Sequence, residues 1–224
     1  YTLSSDGKSM DVNIEVGTGV FWQYKFSKVV SAKIEGAWRL APEAGAMGVG
    51  PAVGDYSYWS SSQDDVTARA CVFDDQYVFN ADGSYQNVLG TETWLETYKL
   101  AAGVEAGCGA PIAPHDGTSA ATWSVDETAG TITIVGSGAF LGLAKAHNTA
   151  EDGAPANNTT VYNYAFSADG NSLAINIEVG TGVFWQYKFT RNGSPPTVVT
   201  SPLEATAWLL RPKAGALAVG DGAG

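Results

Sequence analysis

The sequence predicts an all-β fold of antiparallel strands, with about eight or nine strands in a module that is repeated in tandem. Apolar and polar residues alternate with a period of two along several segments, as expected for half-buried strands. Asp-Gly pairs, which tolerate the positive φ angles of short hairpin turns, recur between these segments. The number of strands leaves two arrangements open, a barrel and a sandwich.

The tandem arrangement is predicted from internal repetition. Asn13–Phe26 recurs as Asn176–Phe189 with all 14 residues identical, and Ala37–Gly50 recurs in diverged form as Ala207–Gly220. The order of the repeated segments predicts the end of one repeat, one whole repeat and the start of another. A piece of a long array, whose units perform the same task many times, has this pattern.

The domain boundaries follow from the repeated segments and from the Pro-bearing stretch 193–204, which resists helix and central-strand formation. The predicted parts are 1–28 as the C-terminal part of a preceding repeat, 29–35 as a linker, 36–192 as the complete β module, 193–204 as a Pro-containing linker and 205–224 as the N-terminal part of a following repeat. Each flanking part is too short to fold alone. We therefore expect the first hairpin to pair with strands of a preceding repeat or a neighbouring chain.

Local patterns predict the individual elements of the complete module. Ser172–Val179 and Val183–Phe189 alternate strictly, and Gly180–Gly182 joins them as a tight hairpin. Two further strands are predicted from the same alternation, at Thr131–Val135 and Tyr162–Phe166. One short helix is predicted near Glu92–Ala102, because two of its aromatic residues have helical spacing.

The two cysteines, Cys71 and Cys108, both lie in the complete module. Cys71 begins a predicted Cys-Val-Phe strand, and Cys108 lies between two glycines in a loop that is free to approach it. In a secreted module such a pair predicts a disulfide. The alternative is a pair of free, buried thiols in a cytosolic protein.

The charge of the chain excludes some classes of partner. The formal net charge is −11, with 23 acidic and 12 basic residues, so nucleic acid is not an expected partner. The sequence has no run of 18 apolar residues, and we expect no membrane-spanning segment.

The sequence contains no catalytic constellation, and we expect no enzyme activity. His115 and His147 are the only histidines, and no zinc-protease, nucleophile-elbow, phosphate-loop or Cys-x-x-Cys motif is present. The carboxylate pair Asp64-Asp65 consists of adjacent residues. Adjacent residues on a strand point to opposite faces, which does not suit the paired carboxyls of a glycosidase.

An aromatic, Ser-rich segment at residues 55–65 is the candidate ligand site. An exposed ring can stack on the apolar face of a sugar, while amide and carboxylate groups bind its hydroxyls. The candidate sugar-binding residues are Tyr56, Tyr58, Trp59 and Gln63. The alternative is that the rings tuck under the barrel or pack on a neighbouring module.

Calcium is the one candidate cofactor. Carboxylate oxygens are suitable calcium ligands, and the segment supplies Asp55, Asp64 and Asp65. Their spacing matches neither an EF-hand nor a nonapeptide calcium repeat, so the pattern is a weak signal and predicts no defined metal site.

Several short motifs occur in a family-specific order along the complete module. They are Gly36-Ala37-Trp38, the hairpin Tyr77–Tyr85, Thr122-Trp123-Ser124 and the basic residues Lys188 and Arg191 at the last strand. This order resembles the lipocalin-like β modules repeated in secreted and surface proteins of Bacteroidetes, and modules appended to polysaccharide-degrading proteins. The resemblance implies a small barrel in an extracellular, sugar-related context. The segments Pro42–Trp59 and Gly136–Asn148 are longer than a minimal barrel needs.

The expected function is that of a non-catalytic tandem-repeat module in a long secreted or cell-surface protein, bacterial by the resemblance. Such a module acts in adhesion or in the assembly of an extracellular fibre or stalk, and its partners are neighbouring repeats or identical chains. The alternative is a carbohydrate-binding module of a polysaccharide-utilisation protein, which gains avidity from repetition.

Overall fold

The chain folds as two compact units in a computed structural model, which describes residues 1–3, 9–28, 34–97, 105–148, 150–151, 154–192, 208–210 and 217–220. The larger unit, termed the barrel unit, spans residues 33–195. The smaller unit, termed the terminal sheet, combines residues 1–32 with residues 196–224. The predicted linkers lie outside the described residues, except for Ile34 and Glu35, which belong to the barrel unit.

The described residues form 19 β-strands and two short α-helices. The strands are β1 (Thr2–Leu3), β2 (Ser9–Gly17), β3 (Val20–Lys28), β4 (Gly36–Leu40), β5 (Met47–Gly50), β6 (Trp59–Ser60), β7 (Gln76–Phe79), β8 (Ser84–Val88), β9 (Thr93–Leu95), β10 (Gly107–Gly109), β11 (Ala121–Asp126), β12 (Thr131–Val135), β13 (Ala146–His147), β14 (Ala150–Glu151), β15 (Thr159–Phe166), β16 (Ser172–Gly180), β17 (Val183–Asn192), β18 (Trp208–Leu210) and β19 (Leu217–Gly220). The helices are α1 (Gln63–Ala68) and α2 (Ala70–Phe73). Neither described helix has the length and apolarity that crossing a bilayer requires.

Eight strands of the barrel unit close into one antiparallel barrel. Their order around the ring is the order of the chain, and β17 closes the ring by pairing with β4. The eight strands are β4, β7, β8, β11, β12, β15, β16 and β17. The predicted all-β fold is therefore confirmed, and of the two arrangements left open the structure has the barrel.

The alternation predicted for the last two barrel strands sets their orientation. Along β16, Leu173, Ile175 and Ile177 point into the barrel and are buried, while Ala174 and Glu178 are exposed. A tight turn joins β16 to β17, and Gly182 has a φ of +70° there, which a side chain would disfavour. β17 then pairs with two strands in succession, with β5 through its first half and with β4 through its second half.

The predicted helix near Glu92–Ala102 is wrong in its described part. Thr93–Leu95 instead forms β9, which pairs with the Gly-Cys-Gly strand β10, and residues 98–102 lie outside the described part of the chain. The two helices occur earlier, over residues 63–73, so Cys71 lies in α2 and not at the start of a strand. The spacing of the aromatic residues in 92–102 gave a wrong prediction because the segment is short. At that length a strand with two buried residues fits the apolar pattern as well as a short helix does.

The terminal sheet repeats the strand pairing that closes the barrel. Phe26 of β3 is opposite Leu210 of β18, as Phe189 of β17 is opposite Leu40 of β4. The same agreement holds for all seven register pairs that β3 makes with β18 and β19. The strand β1 also pairs with β2 in the register by which the end of β15 pairs with β16.

The partners of the first hairpin are thus strands of the chain's own C-terminal segment. The hairpin therefore pairs outside the complete module, as expected, but the expectation that a preceding repeat or a neighbouring chain supplies these two strands is wrong. The physical reason is that residues 207–220 repeat the sequence of β4 and β5. These are the two strands that pair with β17, the equivalent of β3, in the barrel unit.

Candidate functional site

The aromatic loop before α1 does not present its three rings as one surface. Tyr58 is 60% exposed, whereas Tyr56 and Trp59 are half-buried. The Tyr56 ring lies over Gly48, where a Cβ atom would overlap it, and burial raises the pKa of the Tyr56 phenol. Of the predicted sugar-stacking residues, Tyr58 alone keeps its ring largely in solvent.

Trp59 is held by a cation–aromatic stack that fastens α1 to the barrel. The Arg69 guanidinium lies 5.1 Å from the centre of the Trp59 ring and 4.3 Å from that of Trp94. Asp65 orients it, with Arg69 Nε 3.6 Å from Asp65 Oδ1. The Trp59 ring also packs at 6.1 Å from Trp185 in a tilted arrangement. Each cation–π contact contributes about 0.5–2 kcal/mol, so Trp59 acts mainly as a packing residue.

Trp185 continues this cluster on β17. Its Nε1 donates a hydrogen bond of 2.6 Å to Glu151 Oε1, and the Lys145 ammonium lies 4.7 Å from its ring centre. Lys145 Nζ is also 3.4 Å from Glu151 Oε2. Charged groups therefore cover the indole rings of both Trp59 and Trp185, which leaves little ring area for stacking on a sugar.

The start of the aromatic loop is pinned to β17 by a buried amide. Gln186 Oε1 accepts a hydrogen bond of 2.6 Å from the Gly54 amide, and Gln186 Nε2 donates one of 2.7 Å to the Asp55 carbonyl. Sequence reasoning missed this role, since Gln186 falls on the predicted outward face of its strand. No signal in the sequence distinguishes a buried amide from a solvated one at this position.

The structure does not assemble the candidate calcium ligands into a site. Asp55 accepts a hydrogen bond of 2.8 Å from the Ser57 amide, and the hydrogen bonds from Ser57 lower the pKa of Asp55. Asp65 forms a capping box with Ser62 at the start of α1, and the Ser62 backbone hydrogen bond lowers the pKa of Asp65. Gln63 and Asp64 are exposed on α1. Among the described residues, no group of three or more His, Cys, Asp or Glu side chains could hold a metal ion.

The interior of the barrel is filled by the protein's own segment, residues 136–147. Phe140, Leu141 and Leu143 are buried inside it. Eight-stranded barrels often use this space for one small ligand. Here the long Gly-rich segment noted in the sequence takes that place.

Tyrosine hydroxyls of the barrel wall hold this inner segment. Tyr77 donates a hydrogen bond of 2.9 Å to the Gly142 carbonyl, and Tyr85 donates one of 2.5 Å to the Phe140 carbonyl. Tyr162 Oη accepts a hydrogen bond of 3.1 Å from the Leu141 amide. Burial raises the pKa of Tyr77 and of Tyr85 well above the ordinary value. These phenols therefore stay neutral and act as structural donors.

Asp75 is a buried carboxyl of the barrel unit. It is 1% exposed, and burial raises its pKa to about 8. Thr93 Oγ1 donates a hydrogen bond of 2.7 Å to Asp75 Oδ2, while Asp75 Oδ1 has no hydrogen-bond partner among the described residues. A single buried carboxyl of this kind is neutral near pH 7 and makes the stability of the barrel sensitive to pH.

The predicted disulfide is confirmed. Cys71 and Cys108 are bonded, with their Cα atoms 6.0 Å apart and 37 positions separating them in sequence. Cys71 is buried in α2 and Cys108 lies on β10, so the bond ties the helical segment to the β9–β10 ribbon.

The sequence matches no protein-family model, and no curated protein sequence matches it significantly. Functional assignment therefore rests on the geometry of this chain.

Proposed function

We propose that the chain is a non-catalytic repeat module of a long secreted or cell-surface protein, which works in adhesion or in the assembly of an extracellular fibre or stalk. The observation that carries the proposal is the terminal sheet. Its seven register pairs reproduce those that close the barrel. One chain thus holds a complete barrel and a second copy of the barrel's closing corner, which fits a series of similar barrels.

The barrel itself supports a mechanical role. Its interior is filled by residues 136–147, and tyrosine hydroxyls fix that segment in place. Such a body resists deformation, as a spacer must, because close-packed interiors are not easily compressed. The Cys71–Cys108 bond supports an extracellular setting, since disulfides persist in oxidising compartments. The resemblance to lipocalin-like modules of Bacteroidetes supports a bacterial source.

Carbohydrate binding is the second candidate function, and one observation favours it. Tyr58 is 60% exposed shortly before α1 in the sequence, and Gln63, the first residue of α1, is also exposed. A single ring with a neighbouring amide suits a shallow, weak glycan site whose avidity comes from repetition.

The test is a chain of two or three full repeats, measured by small-angle scattering and on a glycan array. Extended particles of fixed spacing without glycan binding are the expected result. Freely hinged particles that bind one glycan, with binding lost in Tyr58→Ala and kept in Trp59→Phe, would overturn the assembly role and establish the sugar-binding one.

A further inference from the structure

We propose that the apolar face of the terminal sheet is the docking surface for a second copy of the barrel wall that follows β5, residues 51–163. This face consists of Val12, Ile14, Val16, Trp22 and Tyr24. The inference rests on the proposed function and names the partner of the terminal sheet. Docking completes a second barrel around the face.

The apolar face is exposed where its counterpart in the barrel is buried. Ile14 is 48% exposed and Trp22 is 38% exposed. The identical residues 163 positions later, Ile177 and Trp185, are 1% and 6% exposed. Burying large apolar side chains is favourable, so this face has a strong tendency to find a partner.

The rings on this face have the spacing that they have inside the barrel. The rings of Trp22, Tyr24 and Phe26 are stacked with centre-to-centre distances of 6.3 and 6.1 Å. The matching distances on β17 are 6.2 and 6.2 Å, although the Phe189 ring is tilted by 49° to that of Tyr187. The spacing of the rings is therefore preorganised for the same occupant, which lowers the cost of binding.

The barrel identifies that occupant. The Tyr187 ring, which corresponds to Tyr24, lies so close to Gly142 that a Cβ atom there would overlap it. The Phe189 ring, which corresponds to Phe26, packs edge-on against Tyr77 at 5.1 Å. In the barrel, the equivalent face is thus contacted by the inner segment and by β7, and both belong to the wall 51–163.

The edges of the terminal sheet fit the two ends of the same wall. Among the described strands, β18 pairs only with β3, whereas its counterpart β4 also pairs with β7. At the other edge, β2 is covered by two residue pairs from β1, whereas β16 makes four pairs with β15. A wall that begins with β7 and ends with β15 closes both edges and covers the face between them.

The experiment joins a copy of residues 51–163, which lacks β4 and β5, directly in front of Tyr1 and follows a single added thiol. Ile14→Cys reports on the apolar face, and Ile177→Cys is the matched control at the buried equivalent. Thr18→Cys, on the hairpin turn, controls for access to the hairpin, because Thr18 and its counterpart Thr181 are both exposed. Labelling rates with a maleimide are read by peptide mass mapping, which separates the added thiol from the other cysteines.

The expected result is that the thiol of Ile14→Cys labels at least about 100-fold more slowly once the wall is added, while the thiol of Thr18→Cys is unaffected. In the extended chain, Gly142→Ala in the added wall should restore labelling at position 14. The same substitution should leave the thiol of Ile177→Cys protected.

Rapid labelling of Ile14→Cys in the extended chain, under conditions that protect Ile177→Cys, would overturn the proposal. Slow labelling of Ile14→Cys in the unextended chain would also overturn it, and recovery of the rate on dilution would then assign the face to a second chain. If position 14 is protected in an array whose modules hinge freely, the docking surface is supported and the assembly role is refuted.

Discussion

Two copies of one hairpin, β2–β3 in the terminal sheet and β16–β17 in the barrel, share 14 identical residues and differ in their surroundings. Both have the same strand register and the same irregularity before the turn. Both also have a glycine at positive φ, +74° at Gly19 and +70° at Gly182. Their apolar faces, however, are exposed in the first copy and buried in the second.

The comparison separates what a hairpin carries in its own sequence from what it gains from the fold. Register and turn type depend on residues within the hairpin, because alternation and the turn glycine specify them. Burial depends on the remaining strands and on the inner segment 136–147. The largest contributions to stability should therefore come from contacts within the barrel unit. The contacts that both hairpins have in common should contribute little.

The largest expected difference between the two units is in the pH dependence of stability, and it arises from Asp75 of the barrel unit. Its pKa is raised from 3.8 to about 8, so the folded state holds a proton that the unfolded state has lost between these values. The barrel should therefore lose stability as pH rises from about 4 to about 8, by about 1.4 kcal/mol per unit, and lose no more from this group above that range.

The measurement for Asp75 is urea unfolding at a series of pH values for the native chain and for Asp75→Asn. The native chain should lose stability relative to the variant as pH rises. The accessibility of the thiol introduced by Ile14→Cys in the terminal sheet, corrected for thiol ionisation, should show no such trend. A pH-independent difference in stability between the native chain and Asp75→Asn would show that Asp75 is already ionised in the folded barrel.

Reduction of the disulfide should have the next largest effect, again in the barrel unit alone. The bond closes a loop with a sequence separation of 37, for which the chain-entropy relation gives about 4 kcal/mol. Cys71→Ser with Cys108→Ser should lower the unfolding free energy of the barrel unit by that amount, measured by denaturant titration. An equal shift in the unfolding of the terminal sheet would contradict the separation of the two units.

Matched substitutions in the two hairpins test the burial difference directly. Ile177→Ala removes a side chain that is 1% exposed and should cost about 3 kcal/mol, whereas Ile14→Ala, at 48% exposure, should cost less than about 1 kcal/mol. Denaturant titration with circular dichroism measures both. Equal costs would mean that the face of the terminal sheet is covered in solution.

Much of the fold could be predicted from the sequence because its signals are local. The alternation in 172–189, the turn at Gly180–Gly182 and the pairing of Cys71 with Cys108 are each encoded within short segments or by the presence of only two cysteines. The choice of a barrel over a sandwich is not local, since it depends on β17 meeting β4 at the far end of the module.

The candidate site was harder to predict because its contacts join distant segments. The aromatic pattern drew attention to Trp59, but Arg69, which stacks on the rings of Trp59 and Trp94, lies between two helices that the sequence did not indicate. Burial of Asp75 and the inner position of 136–147 arise only when the barrel closes. Tyr58 and Gln63, which remain exposed, are the parts of the predicted sugar site that stay testable.

The smallest expected effect concerns an interaction that both hairpins keep. The Gly19 amide donates a hydrogen bond of 3.1 Å to Glu15 Oε1, and the Gly182 amide donates one of 3.1 Å to Glu178 Oε1. Because each bond lies within one turn and is exposed, Glu15→Gln and Glu178→Gln should each cost well under about 1 kcal/mol, and by the same amount. Amide hydrogen exchange at Gly19 and Gly182 should accelerate equally in the two variants. Faster exchange at Gly182 alone would mean that the surrounding barrel, and not the hairpin sequence, sets the geometry of this turn.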